Sequence, residues 1–137
     1  MLSDERTSWV ETIVHVPTDG IYAPSADYAH AMEVRRPNRF LFVAGTMGLD
    51  PDGVPGSTLD QQLDLIWKNI RAILASAGMT VDNIVRLTSY LRDASYAEPN
   101  AAARQGALHG RVIPTTAIVA QTLVADWLVE IEVIAVA

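Results

Sequence analysis

The chain has 137 residues, half of them apolar and 19% charged, enough for one domain with a real core and too apolar for disorder. A formal charge of -6 excludes the basic face that nucleic acid or an anionic membrane selects, so neither is expected as a partner. Cysteine is absent, which excludes a disulfide framework, a thiol nucleophile and a thiolate metal site; no secretion signal is recognisable, so a cytoplasmic location is expected.

The polar stretch 1–8 reads as a flexible arm on a single domain spanning 1–137. Val10 to Val16 alternates weakly as a short strand ended by Pro17, and Asp19-Gly20 makes a turn. A strand from Tyr28 to Val34 follows, with Tyr28, His30, Met32 and Val34 on one face and His30 read as an ordinary hydrogen-bonded histidine. Arg35-Arg36-Pro37-Asn38-Arg39 has the composition of a hairpin turn leading into the strand Phe40 to Gly45; its arginines form either an exposed basic turn or an anion site. The glycines and prolines between Gly45 and Gly56 mark a surface loop, in which Asp50-Pro51-Asp52-Gly53 is a plain turn lacking calcium-loop spacing.

Thr58-x-x-Gln61 is a capping box, after which Leu59, Leu63, Ile66, Ile70 and Ile73 recur at helical spacing until Gly78 supplies the stop. A strand from Ile84 to Leu91 and an alanine-rich helix from Ser95 to Leu108 come next, with Pro99 tolerated in the first turn. Two strands close the chain, Thr115 to Leu123 and Leu128 to Val136, joined by Val124-Ala125-Asp126-Trp127. In the second, Val129, Ile131, Val133 and Ala135 alternate with Glu130 and Glu132. The two carboxylates, about 7 Å apart along one face, are a candidate acid-base site; solvation or pairing with arginines is the plainer alternative.

This order of elements predicts an α+β fold, a mixed sheet with two helices on one face. The other face is left open, with apolar positions beside Glu130 and Glu132, and oligomerisation through the sheet covers it. The three histidines are too scattered for a metal signature, and neither metal nor cofactor is expected.

Several local words recur in a specific order: Ala23-Pro24 then Tyr28, Phe42-Val43-Ala44-Gly45, Leu49-Asp50-Pro51, Gln62 and Asn69, Ala77-Gly78, Asn83-Ile84-Val85, Asn100, and Val129 to Ala135. From about Tyr22 to Val136 the chain thereby resembles the Rid family, the reactive intermediate deaminases also called the YjgF family. The resemblance implies a chorismate mutase-like fold, a homotrimer with its sheets facing inward, and small-molecule clefts between subunits. It also implies that Glu130 positions or activates water, that Tyr28 helps line the cleft and that Asn100 takes part; Glu130 and Tyr28 are then the expected catalytic residues, and Thr115, Ala117, Asn100, Gly45 and Trp127 the expected substrate contacts. Trp127 serves either as an aromatic wall or in packing of the last turn.

In family members that hydrolyse imines, an arginine holds the substrate carboxylate; here Thr115 stands at that position. Losing a bidentate guanidinium contact costs about 1.5 to 3 kcal/mol, roughly tenfold to more than a hundredfold in binding. Arg104 and Arg111 lie nearby in sequence and are expected at the surface. The open alternatives are therefore an enzyme of enamine or imine chemistry with a substrate other than small free 2-imino acids, a silent metabolite- or protein-binding trimer, and a different reaction on the same scaffold.

Overall fold

A computed structural model of the protein describes residues 10–137; the expected arm at 1–8 lies outside the described residues. In chain order the elements are β1 (Glu11–His15), β2 (Ala31–Arg35), β3 (Phe40–Met47), α1 (Leu59–Ser76), β4 (Ile84–Leu91), α2 (Ala97–Ala107), β5 (Thr115–Val119) and β6 (Val129–Val136), with short 3-10 turns at Val81–Asn83 and Ala94–Tyr96. The alternation of β6 sets the layers. Val129, Ile131, Val133 and Ala135 are at most 2% exposed, whereas Glu130 and Glu132 are only partly buried on the other face.

β6 is flanked on both sides by antiparallel partners in a sheet of order β3-β6-β4-β5, and β5 runs parallel to β4. The sheet is therefore mixed. Leu63, Ile66, Ile70 and Leu74 of α1 join Ala107, Leu108 and Ile113, from α2 and the segment after it, in one core with Leu87, Leu91 and the apolar residues of β6. Both helices thus cover the same face, as the sequence pattern requires.

The start of α1 departs slightly from the expected capping box. Thr58 Oγ1 accepts the Gln61 backbone N–H, but the Gln61 side chain reaches back to the N–H of Ser57, one residue before the cap. At the other end Gly78, at φ 67°, lets its own N–H reach the Ala75 carbonyl and that of Met79 reach Leu74, the paired bonds that close a helix through a left-handed glycine.

Two expected hairpins are absent. β1 and β2 pair only with each other, so the stretch from Arg35 to Arg39 passes from one sheet to another. Its arginines are engaged locally: Arg35 with Glu33, Arg36 with Glu11 and Arg39 with the Ala77 carbonyl. β5 and β6, consecutive in the chain, are separated in the sheet by β4. The crossover through α2 lays β5 parallel to β4, whose other edge is already occupied by β6.

The face away from the helices is uncovered within the chain. Phe40 and Phe42 are 57% and 73% exposed, with their rings stacked 6.3 Å apart, and Ile118 is 46% exposed. Among the described residues no helix is long and apolar enough to cross a membrane.

Candidate functional site

Glu130 stands on the open face because its neighbours Val129 and Ile131 are committed to the core. It lies opposite Met47 of β3 on one side and Tyr90 of β4 on the other. Between Val43 and Thr46 the β3 register shifts, setting Ala44 and Gly45 against Glu132 alone, which is a β-bulge. The predicted loop from Gly45 therefore starts later, since strand pairing runs on to Met47.

At the bulge a Cβ on Gly45 would lie 2.6 Å from Glu130 Oε2, so the carboxylate occupies space that only glycine leaves open. Among the described residues this carboxylate accepts no hydrogen bond. Glu132 differs: the Tyr90 hydroxyl donates to its Oε1 at 2.5 Å. That bond, followed by desolvation and the charge of Glu132, raises the Tyr90 pKa above 10.0, so the phenol stays a proton donor. Glu130 and Tyr90 together line a groove of about 190 Å³ whose other wall is the segment 120–123.

Two amides, Gln62 buried and Asn69 partly buried, hold the elements around Glu130. Asn69 of α1 donates to the carbonyls of Met47 and Leu49 at 3.1 and 2.9 Å, fixing the end of β3 where it faces Glu130. Gln62 donates to the Asp126 carbonyl at 2.8 Å and accepts the Leu128 N–H at 2.9 Å, fixing the approach to β6. Trp127, between them and partly exposed, accepts a 2.6 Å bond on its carbonyl from Thr122.

Tyr28, Asn100 and Thr115 belong to another part of the fold. Tyr28 precedes β2 instead of entering it, so its face is not set by strand alternation. Its neighbours anchor it: the Ala29 N–H donates to the Ile113 carbonyl, and Asp27 receives Arg104 Nη2 at 2.6 Å and Ser25 Oγ at 2.5 Å. Arg104 is 6% exposed, which corrects its assignment to the surface; burial is possible because Asp27 neutralises it. Arg111 is likewise drawn inward, donating to the carbonyls of Val81 and Ile84. Asn100, one turn before Arg104 on α2, is 3% exposed, and its Oδ1 has no partner among the described residues.

Thr115 and Ala117 pair in register with Leu87 and Ser89, both buried on the helix side of β4, so within one protomer they sit across the sheet from Glu130. Thr116 takes the open face and accepts a 2.7 Å bond from Arg86 Nη2. The structure thus brings Gly45 to Glu130 and, through the bond from Ala29 to Ile113, sets Tyr28 beside the approach to β5. Among the described residues the buried ring nitrogens of His30 have no hydrogen-bond partner and the ring meets Tyr22 edge-on at 5.2 Å, unlike the hydrogen-bonded histidine expected. Asp50 caps its own turn, its Oδ1 accepting the N–H groups of Asp52 and Val54. Among the described residues no group of three His, Asp or Glu side chains is arranged to hold a metal.

Arg86 and Tyr90 were not legible as site residues, although a signal for them exists. In β4 the buried Leu87, Ser89 and Leu91 alternate with Arg86, Thr88 and Tyr90, the same parity that puts Glu130 and Glu132 on the open face of β6.

Comparison with known proteins extends the geometry. The family model described as endoribonuclease L-PSP matches residues 20–137. A RutC family protein of Pyrococcus horikoshii is 32% identical over 123 residues, covering 86% of this chain and 93% of the relative. The 2-iminobutanoate/2-iminopropanoate deaminase of Mus musculus is 34% identical over 76 residues, or 52% of this chain and 53% of that enzyme. The match likewise spans about half the length of RutC family proteins from Aquifex aeolicus and Escherichia coli, 54% and 56%. Among solved structures, a Rid family protein of unknown function from Yersinia pestis, YyfB, superposes with a TM-score of 0.75 at 30% identity, covering 92% of this chain and 98% of that one.

The Asp27 contacts generate a pH dependence. The Ser25 hydroxyl bond first, opposed by desolvation and reinforced by Arg104, holds the Asp27 carboxyl below its ordinary value of 3.8. A carboxyl whose folded pKa is depressed contributes stability that is complete above the unfolded pKa and disappears as pH falls through the folded one. Asp27→Asn is expected to lower the urea midpoint at pH 7, and the gap from wild type is expected to close below about pH 3.8. An equal gap at pH 7 and pH 2.5 contradicts the assignment.

Proposed function

The chain belongs to the endoribonuclease L-PSP family, which takes in the Rid and RutC proteins, and from this we propose that it hydrolyses a small imine or enamine with Glu130 as acid-base. The observation that carries the reading is the Glu130 carboxylate, without a partner among the described residues, lying over the bare Cα of Gly45 beside a groove large enough for a few heavy atoms. The mouse relative, a deaminase of 2-imino acids, supplies the reaction class. An RNA substrate fits poorly with a net charge of -6.

The chemistry is balanced without a cofactor. An enamine first takes a proton on carbon from the Glu130 carboxylic acid and becomes an iminium ion. The Glu130 carboxylate then accepts a proton from water as the water oxygen bonds to the iminium carbon, giving a neutral carbinolamine. Returned to the carbinolamine nitrogen, that proton lets the C–N bond break with release of ammonia, and the hydroxyl proton passes to the Glu130 carboxylate, leaving the carbonyl compound and the carboxylic acid of the starting state. The Tyr90 phenol, held protonated on Glu132, bounds the same groove.

A complete site in this reading is shared between protomers. Glu130 and Gly45 come from one, while Tyr28, Asn100, Thr115 and Ala117 come from its neighbour in a homotrimer whose inward-facing sheets cover Phe40, Phe42 and Ile118. Trp127, near the head of β6, borders the cleft. With threonine in place of the arginine clamp, the preferred substrate is an imine whose carboxyl is absent, esterified or amidated. A second reading, a ligand-binding trimer without turnover, is favoured by that same Thr115.

Two substitutions separate these readings, with ammonia release as the measurement. Glu130→Gln is expected to slow hydrolysis of the amide of 2-iminopropanoate by roughly 10² to 10⁴. Thr115→Arg is expected to raise turnover of free 2-iminopropanoate by about ten- to a hundredfold. Undiminished turnover in Glu130→Gln removes the acid-base role. Wild-type turnover of the free acid equal to that of Thr115→Arg removes the argument from the missing clamp.

A further inference from the structure

We propose that Arg104 is a positioning residue for the reaction, acting through Tyr28: it holds the backbone that aims the Tyr28 side chain into the shared cleft. The proposal rests on the reading of Tyr28 as a cleft residue and adds the group that places it.

Tyr28 lies in no helix or strand, between a turn at 26–27 and the start of β2, so no ladder of hydrogen bonds sets its direction. Its Cα is fixed from both sides instead. The Asp27 carbonyl, in the peptide group before Tyr28, accepts Arg104 Nη1 at 3.0 Å, and the Ala29 N–H, in the peptide group after it, donates to the Ile113 carbonyl at 3.1 Å. Peptide groups are planar, so pinning the two planes sets φ and ψ of the residue between them, and with these the direction of its Cα–Cβ bond. One anchor stands on α2 and the other lies just before Thr115, so Tyr28 is placed relative to the start of β5.

The tie to Arg104 has the form of a geometric restraint. Arg104 is 6% exposed; while Nη1 holds the Asp27 main chain, Nη2 takes Asp27 Oδ2 at 2.6 Å, and Ser25 and Gln105 donate to the same carboxylate at 2.5 and 3.3 Å. A lysine there keeps the charge but loses the planar fork that reaches both oxygens from two nitrogens. With both terminal nitrogens spent on Asp27, Arg104 does not stand in for the missing carboxylate clamp, and Arg111 is likewise committed to the carbonyls of Val81 and Ile84. Arg104 therefore acts on the chemistry through the segment it holds.

Fluorine NMR of the whole chain with 3-fluorotyrosine at its four tyrosines tests this, the signal lost in Tyr28→Phe being that of residue 28. Arg104→Lys is expected to shift or broaden that signal and to leave the one from Tyr90, on the open sheet face, in place; Asp27→Asn, which loosens the same tie, gives a second reading. In turnover of the amide of 2-iminopropanoate, Arg104→Lys is expected to cost roughly ten- to a hundredfold. That loss is expected to vanish in a Tyr28→Ala background, because a residue acting through Tyr28 then has nothing to place. A residue-28 signal unchanged in both Arg104→Lys and Asp27→Asn overturns the proposal, and so does an equal turnover loss in the Tyr28→Ala background, the mark of a merely structural role. The fluorine result holds whatever Glu130→Gln does to turnover, so failure of the acid-base reading and failure of this one are told apart.

Discussion

The arrangement depends on one strand whose two faces have incompatible demands. In β6 four apolar side chains are nearly inaccessible and two carboxylates alternate with them, so a slip of one residue would drive both acids into the core and expose the apolar set. Burying a large aliphatic side chain is worth about 1.5 to 3 kcal/mol, and an unpaired buried carboxylate is strongly unfavourable. Hydrophobic burial on one side therefore fixes the place of Glu130 on the other. Antiparallel partners on both edges hold the strand in that register.

What makes the fixed carboxylate chemically interesting is the contrast with its neighbour. Glu132 is engaged by a phenol, whereas Glu130, unbonded among the described residues, lies across a bulge whose Gly45 has no side chain to meet it. Asn69 and Gln62 bond backbone rather than ligand, yet they hold the strand ends beside Glu130. Their agreement with the family pattern thus has a structural reason: they fix the frame of the groove. The same sheet face that presents the carboxylate presents uncovered aromatic surface, so assembly and site formation draw on one region.

Local features of the sequence were readable where short-range chemistry decides them. The alternation of β6, the threonine that opens α1 and the glycine that closes it each follow from side-chain pattern or backbone freedom within a few residues. Strand neighbours were another matter. Whether Arg35 to Arg39 joins paired strands, and whether β5 lies beside β6, is decided by which edges are free once the crossovers have formed, and no local word encodes that. Arg104 looked like a surface cation because its counter-charge, Asp27, is 77 residues away in sequence. Separating Thr115 from Thr116 by face required the parallel register with β4. The open-face parity of Arg86 and Tyr90 could have been extracted from β4, since it is as regular as that of β6.

The central claim is that Glu130 moves protons from the position Gly45 leaves free. Gly45 does not have the positive φ that L side chains disfavour, and the nearest atoms to an added Cβ all belong to the Glu130 side chain, so Gly45→Ala displaces the carboxylate with little other disturbance. Ammonia release from the amide of 2-iminopropanoate is the direct measurement. The account predicts that Gly45→Ala keeps the wild-type circular dichroism and melting profile while losing most of the turnover. A Gly45→Ala protein with undiminished turnover would contradict it.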